Sequence, residues 1–144
     1  MASPKLVIFD CDGVLVDTET IANRRLAQLI GEAGLPITYE ECRQRFCGRS
    51  LTSVGAELRA AGIDVGDDFV GRWYRELPQT FGSGVEKIPY VEAFIEAVKA
   101  AGIAHCVASS ARTEKMLMTL GQTGLLAHFR DVLFSASMVE RGKP

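Results

Sequence analysis

The apolar run Leu6-Val7-Ile8-Phe9 opens directly onto Asp10-Cys11-Asp12-Gly13, and this junction constrains the fold more than any other feature of the chain. A short continuous apolar run fits a strand buried in a parallel sheet. Open α/β sheets do their chemistry at the carboxyl ends of such strands. Side chains alternate along an extended chain, so Asp10 and Asp12 can point to one side while Cys11 points to the other. Two carboxylates sharing a pocket can hold a hard divalent cation or divide into nucleophile and acid/base, and Gly13 lets the chain turn sharply just past them. Taken alone, an Asp-x-Asp-Gly is equally an acidic strand-end turn.

The chain of 144 residues is 47% hydrophobic and 24% charged, a composition that describes a soluble globular protein. A net charge of −2 offers no electrostatic footprint for nucleic acid, and no run of like charge marks a membrane surface. Small-molecule chemistry is the expectation. Cys11, Cys42, Cys47 and Cys106 have neither CxxC nor zinc-type spacing, and read as reduced thiols in a cytoplasmic protein. The apolar run after Lys5 is shorter than a signal-peptide core or a membrane span, so no export or anchoring signal is expected.

Periodicity divides the chain into a core, an insertion and a core again. After a first strand at about 5–9, Ala22, Leu26, Leu29, Ile30 and Ala33 recur at helical spacing, and Gly34 and Pro36 end that helix. Helical stretches follow at about 39–46, 51–61 and 67–81, with no convincing strand among them. Gly82-Ser83-Gly84 reads as a linker, after which Pro89 can start a helix carrying Val91, Phe94, Ile95 and Val98 toward a core. A buried strand at 103–108, a helix at about 112–123 and a short strand at 132–134 complete an α/β pattern. The expected organisation is an α/β core formed by 1–16 and 83–144, with a helical module at 17–82.

The stretch from Val7 to Glu19, VIFDCDGVLVDTE, resembles the first signature of the haloacid dehalogenase (HAD) superfamily of aspartate-dependent phosphatases and phosphomutases. Two further signatures follow in order: a strand ending in Ser, from Ile103 to Ser110, and a Lys before Pro at Gly142-Lys143-Pro144. The resemblance implies a Rossmann-like parallel sheet, here incomplete, with an inserted all-helical cap. It implies that Asp10 is the nucleophile and becomes an aspartyl-phosphate, and that Asp12 is the acid/base. Magnesium would be held by the Asp10 side chain and the Asp12 backbone carbonyl, a set that suits an ion retaining several waters. Ser109, with Ser110 beside it, would bind phosphoryl oxygens, and Lys143 would offset charge on the transferring phosphate. Either serine is equally placed to cap the following helix, and a Lys near a chain terminus is ordinarily a solvated one.

Between two helices of the insertion, Phe46-Cys47-Gly48-Arg49-Ser50 falls where related enzymes carry a substrate-specificity loop. Arg49 is the candidate contact to a second anionic group or to sugar hydroxyls, with Glu19, Asn23, Arg43 and Arg45 weaker candidates. Trp73, Tyr74 and Phe81 read as packing of the module, and His105 and His128 as structural. The resemblance is to the branch holding β-phosphoglucomutase and 6-phosphogluconate phosphatase. It implies a phosphatase of small phosphorylated metabolites such as sugar or sugar-acid phosphates. The rival mutase carries a His where this chain has Ala22, and its loop Arg falls on Leu51. A phospho-acceptor module and a catalytically inactive fragment are the alternatives from other classes. The fourth signature, an acidic pair completing the metal site, has no counterpart before Pro144. The expectations that follow are weak magnesium affinity, poor activity and self-association through an open sheet edge.

Overall fold

A computed structural model describes residues 4–82 and 84–143; Ser83 of the expected linker and Pro144 of the Lys-Pro pair lie outside them. The chain divides into two compact units, one formed by 1–18 with 84–144 and the other by 19–83.

The first unit is built on three parallel strands in the order β1-β4-β5: β1 (Leu6–Phe9), β4 (Ala104–Ser109) and β5 (Leu133–Ser135). The strand carrying the acidic junction is therefore at an edge of this sheet. Phe9 pairs with Val107, and both are buried. On the same face, Phe9 meets Phe94 of α6 (Val91–Ala100) and Phe129 of α8 (Leu126–Phe129) edge to face, with ring centroids 5.9 and 5.5 Å apart. The helix α7 (Thr113–Gln122) buries Met116, Thr119 and Leu120. The opposite sheet face carries Leu6, Ile8 and Phe134, all exposed.

Besides the short helix α8, which the sequence reading did not carry, two features of this unit differ from it. A second, two-stranded antiparallel ribbon joins β2 (Val16–Asp17) to β3 (Glu86–Lys87), and the Ile88 N–H extends it by donating to the Leu15 carbonyl. Two-residue strands carry no periodicity, so no pattern announces them. The second difference is at Pro89, which lies in a turn and does not open α6. The helix begins at Val91 after Tyr90, whose φ of 64° is the one left-handed non-glycine conformation among the described residues.

The second unit is all helical: α1 (Glu19–Glu32), α2 (Tyr39–Phe46), α3 (Leu51–Ala60), α4 (Phe69–Arg75) and α5 (Leu77–Thr80). Thr38 and Glu41 close α2 with a reciprocal capping box, and Ser50 caps α3. The core holds Leu29, Ile30, Cys42, Phe46, Val54, Leu58, Phe69, Trp73 and Phe81, so Trp73 and Phe81 pack as expected, while Tyr74 is only half-buried. The helical stretch expected at 67–81 is two helices, broken at Glu76, where Pro78 is accommodated in the first turn of the second. No described helix is long and apolar enough to cross a membrane.

Candidate active site

The acidic junction is shaped by Cys11. Its side chain is buried, and its carbonyl accepts from the N–H groups of Leu15 (2.9 Å) and Val16 (3.2 Å). Gly13, at φ 75°, lets the chain turn back so that its own N–H reaches the Val16 carbonyl at 2.9 Å. With Cys11 turned inward, the neighbouring carboxylates of Asp10 and Asp12 remain 44% and 29% exposed. Burial, and then the Asp12 charge, push the Cys11 thiol up to about 12. It is a packing residue and no nucleophile near neutral pH.

Asp10 Oδ1 accepts from the Cys11 N–H at 2.8 Å and pairs with Lys143 Nζ at 2.9 Å. Asp12 Oδ1 accepts from Thr18 Oγ1 at 2.5 Å and from Lys115 Nζ at 2.7 Å. Thr18 is buried, and the Lys115 side chain is only 13% exposed. Two carboxylates thus face two ammonium groups drawn from distant points of the chain.

Ser109 ends β4 on the strand adjacent to β1 and is buried. Its Oγ accepts from the Ala111 N–H at 3.0 Å, while the Ala111 carbonyl accepts from Ser135 Oγ at 2.7 Å. Ser135, at the end of β5, therefore helps clamp the loop between β4 and α7. The helix-cap alternative for the serines does not hold. Arg112 is the N-cap of α7, with no side-chain cap bond, because the Ser109 hydroxyl is spent on a turn two residues on and Ser110 is exposed.

In the helical unit, Asn23 is buried and donates to the Glu19 carbonyl at 2.9 Å, while the Cys47 thiol lies 3.6 Å from the Glu19 carboxylate. Burial, and then Glu19, raise the Cys47 pKa. Arg49 pairs with Glu57 and donates to Ser53 Oγ at 2.8 Å, so its guanidinium is held by its own unit. Arg45 shares Glu57 at 2.8 Å.

Thr18, Lys115 and Ser135 were not singled out by the sequence reading. Lys115 carried a signal. It is the only Lys or Arg among the first three residues of any helix of the described chain, a position where the helix dipole disfavours a cation. A lysine held there needs a local anion, and Asp12 supplies it.

As for a metal, oxygen donors of the kind magnesium selects are present in Asp10 and the Asp12 carbonyl. Among the described residues no group of three His, Cys, Asp or Glu side chains is gathered to hold an ion. The charges are informative. Asp10 and Asp12 are balanced by Lys115 and Lys143, so a phosphate dianion entering here would leave an excess that a divalent cation offsets. The residues fit magnesium in chemistry while supplying only part of a coordination shell.

The sequence matches the haloacid dehalogenase-like hydrolase family over residues 7–144. This chain belongs to that family. Among HAD relatives, a 6-phosphogluconate phosphatase of Escherichia coli is 32% identical over 100% of this chain and 65% of its own length. A phosphorylated carbohydrates phosphatase of Thermotoga maritima is 31% identical over 96% of this chain and 64% of its own. The chain thus spans somewhat less than two thirds of the curated relatives it matches. A HAD family hydrolase of Deinococcus radiodurans, solved with bound phosphate and sodium, superposes with a TM-score of 0.72 at 27% identity, covering 97% of this chain and 62% of that one. The α/β fold with its helical insertion is that of the HAD family.

Proposed function

We propose that this HAD chain is the catalytic part of a magnesium-dependent phosphatase of small phosphorylated metabolites, with sugar and sugar-acid phosphates as substrates. The observation that carries this reading is the salt bridge between Lys143 and Asp10, 2.9 Å long. It joins the last of three motifs to the first at the end of β1, and the relatives named as carbohydrate-phosphate phosphatases support the substrate class.

Asp10 attacks phosphorus through a carboxylate oxygen. As that O–P bond forms, the bond from phosphorus to the ester oxygen breaks, and the leaving oxygen takes the proton carried by Asp12. In the second half, Asp12 takes a proton from water as the water oxygen attacks the aspartyl-phosphate, which frees inorganic phosphate and restores Asp10. Lys143 lies against Asp10 and would follow the phosphoryl charge, and the Ser109 hydroxyl at the neighbouring strand end would donate to a phosphoryl oxygen. Magnesium, held by the Asp10 carboxylate and the Asp12 carbonyl, would screen the repulsion between nucleophile and phosphate.

A second carboxylate suits ester oxygens, which leave as poor alkoxides without a proton. The helical unit would serve as the cap that selects substrate, with Glu19, Asn23 and Arg49 as its candidate contacts. Ala22 stands where a mutase has His, which favours water as the acceptor. The test is a panel of phosphorylated metabolites that includes 6-phosphogluconate, assayed with magnesium and with chelator. Release of phosphate that requires magnesium and disappears in Asp10→Asn is the expected result; turnover surviving Asp10→Asn rejects the reading.

A further inference from the structure

Lys115 is placed against its local electrostatics. It occupies the third residue of α7, where backbone N–H groups and the helix dipole repel a cation, yet its side chain is 13% exposed and its ammonium lies 2.7 Å from Asp12. Thr18 reaches Asp12 from only six residues on, just past β2, and is itself buried. Both donors bond the same oxygen, Oδ1. Among the described residues Oδ2 of Asp12 has no protein donor in these bonds. Two fixed donors on one carboxylate oxygen define both the rotamer and which oxygen is left to exchange a proton.

We propose that Lys115 is a positioning residue for Asp12: with Thr18 it clamps Oδ1, so that Oδ2 is the atom presented to the leaving group and to water. This inference rests on the acid/base reading of Asp12 given above. Lys115 touches no reacting atom in it and acts through Asp12. Lys143, in contrast, sits on Asp10, so the two lysines divide the labour: one holds the nucleophile's side of the site and the other holds the acid.

The consequence is a dependence on leaving group. An alkyl phosphate needs its departing oxygen protonated, whereas p-nitrophenyl phosphate departs as a stabilised phenolate. Lys115→Ala should lower kcat/KM for an alkyl phosphate by about 10²-fold, the lower reach of general acid catalysis. It should leave kcat/KM for p-nitrophenyl phosphate nearly unchanged, because that ratio ends at departure of the leaving group and precedes the water step, and Lys115→Arg should recover part of the alkyl loss. Equal losses on the two esters, or none on the alkyl ester, would overturn the proposal while leaving the nucleophile reading intact; Asp10→Asn tests that reading separately in the same assay. A second measurement needs no turnover. In lysine ammonium NMR of the 144-residue chain, the Lys115 signal should be protected from exchange and should lose that protection in Asp12→Ala. An ammonium exchanging as fast as the exposed lysines would equally overturn the clamp.

Discussion

The two units of the chain finish their surfaces in different ways. In the helical unit, Arg25 bridges Glu32 and Glu76, Arg72 reaches the same two glutamates, Arg45 and Arg49 share Glu57, and Arg75 pairs with Asp68. No large hydrophobic of that unit is exposed among the described residues. In the α/β unit, Leu6, Ile8, Val14, Tyr90, Phe94, Leu117, Phe134, Met138 and Val139 are all exposed. The strand register explains part of this. Leu6, Ile8, Cys106, Ala108 and Phe134 alternate onto one sheet face, and the helical contacts of Phe9 lie on the other. Parallel sheets ordinarily have both faces covered. The insertion is therefore finished as a solvent surface, while the sheet that carries the acidic site is finished on one face only.

The sharpest test of this division is chemical, because every proposed reacting group lies in the unit with the open face. Asp10→Asn should abolish turnover, since an amide is a poor nucleophile and a weaker metal ligand. Asp12→Ala should cost about 10²- to 10⁴-fold. Arg49→Ala, in the helical unit, should shift preference among substrates without removing catalysis. Steady-state kinetics over the metabolite panel separates the three, and an Arg49→Ala variant as dead as Asp10→Asn would erase the division.

The next effect is on stability. Phe81 is completely buried in the helical unit, and its truncation to Ala should destabilise that unit by about 3–5 kcal/mol through lost burial and the cavity left behind. Trp73, the single tryptophan, belongs to the same unit and is nearly buried, so its fluorescence during urea unfolding reports this loss directly. A shift below about 1 kcal/mol would mean that the site collapses around the smaller side chain, as loosely packed sites do.

The open face predicts a smaller, concentration-dependent effect. The 144-residue chain should self-associate, and Ile8→Lys with Phe134→Lys should reduce that association by placing charge on the apolar strip and its edge strand. Sedimentation velocity across a concentration series measures it. A chain that stays monomeric throughout, with native-like thermal unfolding, would show that the uncovered face is tolerated in water.

How much of this was legible in the sequence depended on whether a signal was periodic. The apolar run before Asp10, the amphipathic pattern of α1 and the Ser-ended strand β4 were legible because strands and helices repeat every two or 3.6 residues. The β2–β3 ribbon was not, since two residues make no pattern. The break at Glu76 was signalled by Pro78 two residues on, a breaker that the continuous helical reading of 67–81 ran through. Of the candidate site, alternation placed Asp10 and Asp12 on one side, while their proposed roles and the choice of Lys143 came from the resemblance that orders the three motifs. The clamp of Lys115 and Thr18 on Asp12 was not, because Lys115 lies 103 residues away and Thr18, six residues on, is brought back by a turn that carries no periodic signal. Only the oddity of a lysine in the first turn of a helix pointed toward it. Ser109 misled in one respect: a Ser before a helix suggests a cap, but tertiary placement gave that hydroxyl to the Ala111 N–H.

The smallest effect concerns the ion pairs that finish the helical unit. Hydrogen bonds from Arg25, and then Arg72, hold the Glu76 carboxyl below its ordinary range; Arg72 leads for Glu32, with Arg25 adding to it. A carboxylate whose folded pKa is depressed contributes stability that is fully present above the unfolded value of about 4.5, and that contribution fades as the pH falls through the lower folded value. Glu76→Gln should therefore lower the melting temperature slightly at pH 7, and the gap from the parent chain should close as the pH drops below about 4.5. Added salt should narrow the same gap at pH 7, because these groups are partly exposed and so partly screened. A gap that widens in acid would reverse the sign argued here, and one unaffected by salt would show that Glu76 acts by packing; either result would remove the charge network as the reason this unit needs no further cover.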